Sequence, residues 1–131
     1  MSVRAQFPMQ ARLTRAKDFE AVYRAGEQIR VFPLRARALR RPQASAAAGS
    51  RLGMAIGSRV GRAVLRNRWK RAIREAFRLH RHRLPSAYDI VIGVESDTSP
   101  ADTSRVEQAF LAIVDALREN TQSSPPPRPT D

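Results

Sequence analysis

The sequence predicts an α+β fold, a two-layer α/β sandwich whose elements run in the order α-β-β-α-β-α. Three observations lead to it. Apolar residues recur with helical period over residues 14–25 and 62–81, alternate with period two over 29–39 and 52–58, and run almost unbroken from Tyr88 to Val94. A chain of 131 residues, 42% of them hydrophobic, suits one compact domain with a buried core.

Residues 1–12 read as an irregular arm that precedes a single domain over residues 13–119. Thr14 is placed to cap a first helix that ends at Ala25 before Gly26, with Phe19, Val22 and Tyr23 on its apolar face. From Ile29 to Leu39 the chain reads as one strand, with Phe32, Leu34, Ala36 and Ala38 on one side and Arg35 and Arg37 on the other; Pro33 makes it an edge or bulged strand. Small residues from Gln43 to Ser50 suit a mobile loop. In the next strand, Leu52 to Ser58, bulky Leu52, Met54 and Ile56 alternate with Gly53, Ala55 and Gly57. That bare face admits either a close-packed helix or a nucleic acid strand.

A long helix from about Arg62 to Arg81 follows, and Pro85 punctuates. Tyr88–Val94 suits an interior strand covered on both faces. Ser99, Pro100 and Asp102 form a helix start, and Val106, Phe110, Ile113, Val114 and Leu117 follow at helical spacing. Residues 120–131, rich in Pro and Ser, are expected to be a disordered tail.

Charge narrows the partner. The formal net charge is +12, and 22 of the 24 basic residues are Arg, whose planar fork pairs bidentately with phosphate and stacks on bases. Residues 59–83 alone carry +9, whereas residues 84–131 carry −5. So uneven a field points to a polyanion. The absence of Cys excludes disulfides and Cys-based zinc sites. The apolar run Ile90–Val94 is far too short to span a bilayer, and the N-terminus lacks a signal-peptide pattern, so a cytoplasmic protein without a membrane partner is expected.

On a helical wheel of residues 62–81, Leu65, Trp69, Ala72, Ile73, Ala76 and Phe77 share one arc. Lys70, Arg71, Arg74, Arg78 and Arg81 share the opposite one, with Asn67 among them and Arg68 at its margin. The bland reading is a solvated helix face, but such faces usually interleave charge signs, and Glu75 is the only acid here. Major-groove readers of DNA usually sit in small helical domains, whereas strands flank this helix. Gripping phosphates of folded RNA is the better reading.

Read as a whole, the stretch Val60-Gly61-Arg62-Ala63-Val64-Leu65-Arg66-Asn67-Arg68-Trp69-Lys70-Arg71-Ala72-Ile73-Arg74-Glu75-Ala76-Phe77 resembles the Arg-Asn-Arg signature of the protein subunit of bacterial ribonuclease P. Arg12-Leu13, Asp18-Phe19, Arg51-Leu52-Gly53 and Tyr88-Asp89-Ile90-Val91-Ile92 extend the resemblance over roughly residues 7–118. It implies a mixed sheet with a left-handed βαβ crossover, against the usual rule. It also implies a ribonucleoprotein endonuclease that removes the 5′ leader from precursor tRNA. In such an enzyme the catalytic centre and its Mg²⁺ belong to the RNA subunit, and the protein binds that RNA and the leader.

Carried over by position, Arg62, Arg66, Asn67, Arg68, Lys70, Arg71 and Arg74 are expected to contact the RNA subunit. Phe19, Tyr23, Phe32, Leu34, Arg35, Ser58 and Arg59 are expected to line a leader cleft between the first helix and the sheet. Aromatics beside arginines suit single-strand binding, since stacking tolerates any base; ordinary core packing is the competing reading for Phe19 and Phe32. Two positions depart from the family pattern. Val94 and Glu95 stand where basic residues are common, and Arg35 where an aromatic is frequent.

The chain itself shows little catalytic equipment. His80 and His82, two apart on a helix, point away from each other and read as surface imidazoles. Glu95, Asp97 and Asp102 read as cap and turn residues rather than metal ligands. No catalytic residue, metal site, protein-bound cofactor or obligate protein partner is therefore expected. The alternative function is a non-catalytic RNA-binding protein, such as a ribosome-associated factor or RNA chaperone. A cationic membrane-surface protein would need Trp69 and Phe77 exposed.

Overall fold

The computed structural model describes residues 12–41 and 49–123. Helix α1 spans Ala16–Ala25, β1 Glu27–Val31, β2 Leu34–Arg40, β3 Arg51–Ala55, α2 Ala63–His80, β4 Tyr88–Val94 and α3 Val106–Ser123. Short 3-10 turns occupy Ser58–Val60, Arg81–Arg83 and Pro100–Arg105. The four strands lie in the order β1-β2-β4-β3. Of these strand pairs β3–β4 is parallel and the other two are antiparallel, and α2 supplies the crossover between β3 and β4.

The fold is α+β, as expected, with one strand more than the sequence pattern suggested. The single strand expected over Ile29–Leu39 is a hairpin, β1 and β2, folded back at Phe32-Pro33 so that Val31 pairs with Leu34. Pro33 has no N–H to donate to a ladder and restricts its own φ, which suits a turn better than a bulge. The inward-facing parity marks the turn. Ile29 and Val31 face the core at odd positions, whereas Leu34, Ala36 and Ala38 do so at even ones.

Most of the hydrophobic core lies on one side of the sheet. Leu34, Ala36, Ala38, Leu52, Ile90 and Ile92 meet Trp69, Ile73 and Phe77 of α2 and Phe110, Ile113 and Leu117 of α3. Phe77 and Phe110 pack edge to face, their centroids 6.0 Å apart. All seven residues of β4 are buried, in keeping with its unbroken apolar run. The opposite face of the sheet carries α1, through a small cluster of Leu13, Val22 and Val91 with Phe19 and Leu39.

Three local details differ from expectation. Helix α1 starts at Ala16, with Arg15 rather than Thr14 at the capping position and no side-chain cap bond. Gly26 closes it with an extended backbone; a side chain there would stand 2.4 Å from the Val22 carbonyl oxygen, so steric clearance selects glycine. The capping box of Ser99 and Asp102 is present, but it opens the 3-10 turn Pro100–Arg105 that leads into α3. The expected arm and loop largely fall outside the described residues, apart from Arg12, which forms a parallel bridge with Leu52, and from Gly49 and Ser50. Of the expected tail, residues 120–123 continue α3 and 124–131 lie outside the described residues.

The close-packed-helix reading of the bare β3 face holds at Gly53. A Cβ on Gly53 would stand 2.7 Å from the Phe19 ring, so this glycine seats α1. Ala55, two residues on, stays exposed beyond the helix. Replacing Gly53 by Val should lift Phe19 and destabilise the domain by about 1–3 kcal/mol through overpacking. The urea midpoint reads it, and an unchanged midpoint would mean that α1 does not seat there.

Candidate RNA interface

The amphipathic reading of α2 holds side chain by side chain. Trp69, Ile73, Ala76 and Phe77 are buried, while Arg62, Asn67, Arg68, Arg71 and Arg74 are exposed and Lys70 is half-buried. Among the described residues, no carboxylate pairs with Arg62, Arg68, Lys70, Arg71 or Arg74. The only acid of the helix, Glu75, binds Arg78 at 2.5 Å one turn on, and Arg81 packs over the Phe77 ring. Arg66 donates to the Gly61 carbonyl at 3.2 Å, bracing the turn into the helix. That turn needs glycine, because Gly61 has φ +145.

The first turn of α2 holds no acid, and Arg62 makes no side-chain cap bond. A helix N-terminus is a partial positive charge, so this end of the helix adds to the cationic field. Trp69 and Phe77, whose exposure a membrane-surface protein would need, are fully buried.

The second candidate surface is the face of the sheet that α1 covers only in part. Pairing register aligns its side chains in rows across the strands. Arg51 and Asp89 share one row and Gly53, Val91, Arg37 and Gln28 the next; Ala55, Gly93, Arg35 and Arg30 form a third. Helix α1 lies over the first two rows through Asp18, Phe19 and Val22. A cleft opens beside it, walled by Tyr23, Arg37 and Gln28 and floored by Ala55, Gly93 and Arg35. The small residues make the floor. A Cβ on Gly93 would stand 3.2 Å from the Ala55 carbonyl oxygen and 3.7 Å from the Arg35 guanidinium.

Of the residues expected to line this cleft, Tyr23 and Arg35 do so. Tyr23 is 46% exposed, with the Arg37 guanidinium 5.8 Å from its ring centre. Phe19 is half-buried beneath α1 over Gly53, closer to the core reading than to a stacking platform. Phe32 is exposed, but it sits in the hairpin turn and does not line the cleft. Leu34 is fully buried on the other side of the sheet, because β2 turns its even positions to the main core; the cleft expectation for it is corrected. Ser58 and Arg59 are exposed in the turn that follows β3. Sequence reasoning missed Gln28, Arg37, Ala55 and Gly93 as cleft residues, and only the parity switch at the hairpin could have brought Gln28 and Arg37 onto one face.

Carboxylates hold the surface together. Asp89, buried at the start of β4, accepts two hydrogen bonds from Arg51, at 2.8 and 2.7 Å, and lies 3.4 Å from Arg41. Arg51 also reaches Asp18 of α1 at 3.7 Å, tying helix to sheet. Just past β4, Glu95 accepts bonds from Arg30 at 3.0 and 3.2 Å. Val94, its neighbour, is buried in the main core. His80 is not a free surface imidazole: its Nε2 lies 2.7 Å from Glu107, joining α2 to α3. No group of three His, Cys, Asp or Glu suited to a metal ion forms among the described residues.

Hydrogen bonds from Arg30 hold the Glu95 carboxyl below the usual carboxylate range. A carboxyl whose folded pKa is depressed stabilises the fold above its unfolded pKa, about 4.3, and loses that contribution as pH falls through the folded value. Melting temperature should therefore fall on acidification below about pH 4.3, and less steeply in Glu95→Gln; identical pH profiles would remove the pair from the stability balance.

Comparison with known proteins agrees with this architecture. The family model described as Ribonuclease P matches residues 7–118. The ribonuclease P protein component of Desulfovibrio desulfuricans is 36% identical over 124 residues, covering 89% of this chain and 90% of the relative; that of Bordetella parapertussis is 38% identical over 115 residues, covering 86% and 93%. Among solved structures, the RNase P protein from Thermotoga maritima superposes with a TM-score of 0.68 at 25% identity, covering 82% of this chain and 96% of its own. The Staphylococcus aureus RNase P protein gives 0.69 at 24% identity, covering 82% and 95%, and shares the fold. With its mixed four-stranded sheet and Arg-Asn-Arg helix, the chain belongs to the ribonuclease P protein family.

Proposed function

We propose that the chain works as the protein subunit of a ribonucleoprotein in the cytoplasm, where α2 binds the catalytic RNA subunit and the cleft beside α1 binds the 5′ leader of precursor tRNA. The observation that carries this reading is the α2 face on which Arg68, Arg71 and Arg74 stand exposed and without carboxylate partners among the described residues. Such a face neutralises phosphate repulsion and positions substrate. Bond cleavage is assigned to the RNA subunit, which holds the Mg²⁺ in this reading. The ion would supply Lewis-acid chemistry there.

Tyr23 and Arg37 give the leader cleft a ring and a guanidinium side by side. Stacking on such a ring contributes about 1–3 kcal/mol per base whatever the sequence. We also infer the left-handed crossover. The Leu52 side chain enters the α2 side of the sheet while its carbonyl accepts from Leu13, away from β4. For an L-residue this geometry puts β4 to the left of β3 when seen from α2 with the strands pointing up, which favours left-handed winding.

Reconstitution tests the function: the protein alone should leave precursor tRNA intact, and with its RNA subunit at low salt it should stimulate leader removal. A lack of stimulation would favour the RNA-chaperone alternative. Replacing Arg68 and Arg71 by Ala should weaken assembly and flatten the log–log salt dependence by roughly 0.7–0.9 per lost phosphate contact. An unchanged slope would exclude both side chains from the contact. Tyr23→Ala should weaken binding of precursor more than of mature tRNA, by up to about 1–3 kcal/mol; equal losses would remove Tyr23 from the leader site.

A further inference from the structure

The third row of the open sheet face carries two arginines, Arg30 and Arg35, facing each other across the β1–β2 pair. Arg35 floors the cleft, its guanidinium over Gly93. Arg30 does not line the cleft; its guanidinium forks onto Glu95 through two hydrogen bonds. Odd positions of β4 face this side of the sheet, as Asp89, Val91 and Gly93 do, and Glu95 is the next in that series. Its backbone N–H bonds the Pro33 carbonyl at 3.0 Å, which fixes the carboxylate at the hairpin end of the row. A planar carboxylate taking two N–H bonds from a guanidinium fills the position that a phosphate would take.

We propose that Glu95 is a specificity-determining residue: it occupies Arg30 as an internal substitute for phosphate and places a negative charge beside Arg35, so the cleft grips single-stranded RNA at its Tyr23 end and rejects phosphate at its hairpin end. The inference rests on the leader-binding reading of the cleft. Hydrogen bonding from Arg30 and the charge of Arg35 both favour the ionised form of Glu95, so the blocking charge is present at neutral pH. An RNA strand reaching the hairpin end would have to break the Arg30–Glu95 fork and then lie against the freed carboxylate. The consequence is a leader site whose affinity stops rising once the leader passes Arg35.

The test uses the reconstituted holoenzyme and precursor tRNAs with leaders of graded length. Wild-type affinity should reach a plateau at short leaders. Glu95→Gln, which keeps the shape and removes the charge, should extend the rise to longer leaders, leave mature tRNA binding unchanged, and steepen the salt slope by about 0.7 as Arg30 gains a phosphate. Arg30→Ala alone, which leaves the Glu95 charge uncompensated beside Arg35, should weaken precursor binding by less than Arg35→Ala does, and in combination with Glu95→Gln it should abolish the slope gained through Arg30. Glu95→Gln binding every leader with wild-type affinity and slope would overturn the proposal, as would Arg30→Ala weakening precursor binding as much as Arg35→Ala does. If neither Tyr23→Ala nor Arg35→Ala discriminates precursor from mature tRNA, the leader reading itself has failed, a distinguishable result.

Discussion

Everything on this surface depends on the burial of one stripe of α2. Trp69, Ile73 and Phe77 are fully buried against the sheet and α3, and each contributes about 1.5–3 kcal/mol relative to exposure. Like charges one turn apart on a helix oppose it by only about 0.2–0.5 kcal/mol per pair. The apolar term wins by a wide margin. A row of cations that an isolated peptide would not keep helical is thereby held in one orientation, and the charge of Arg68, Lys70, Arg71 and Arg74 stays available because, among the described residues, no carboxylate pairs with them. The protein tolerates an electrostatic conflict that a polyanion relieves.

The other side of the sheet obeys a different constraint, that of clearance. Gly53 accepts the Phe19 ring where a side chain would collide, while Gly93 and Ala55 leave a shallow floor where the helix ends. The Asp18–Arg51–Asp89 chain of charges then fixes where α1 sits on the sheet. A helix held in this manner stands beside a groove rather than over it. Small residues and a buried carboxylate thus shape the cleft, and Tyr23 and the arginines supply its chemistry.

Much of this was legible in the sequence. The amphipathic period of α2, the doubly buried β4 and the Ser99–Asp102 cap depend on neighbours in the chain, and all three stand where the pattern put them. The hairpin is less legible, because two alternating runs join through the nonpolar stretch Val31-Phe32-Pro33-Leu34 and pass for one strand, although the inward positions shift there from odd to even. The cleft was read only in part. Gln28, Arg37, Ala55 and Gly93 converge through cross-strand register, which joins residues up to 65 positions apart and leaves no local trace. Leu34 was misassigned for the same reason, since its side of the sheet follows from the turn.

Trp69 is the single tryptophan of the chain and is fully enclosed in the core, facing away from the arginine ridge. Its indole emission therefore reports the integrity of the protein interior rather than events at the surface. Quenchers dissolved in water will reach it only when the domain opens. A fluorescence titration with RNA will read almost nothing from this native chromophore, so a dye on the ridge is required to follow association, while the same indole offers an undisturbed signal for chemical unfolding of free and RNA-bound protein alike.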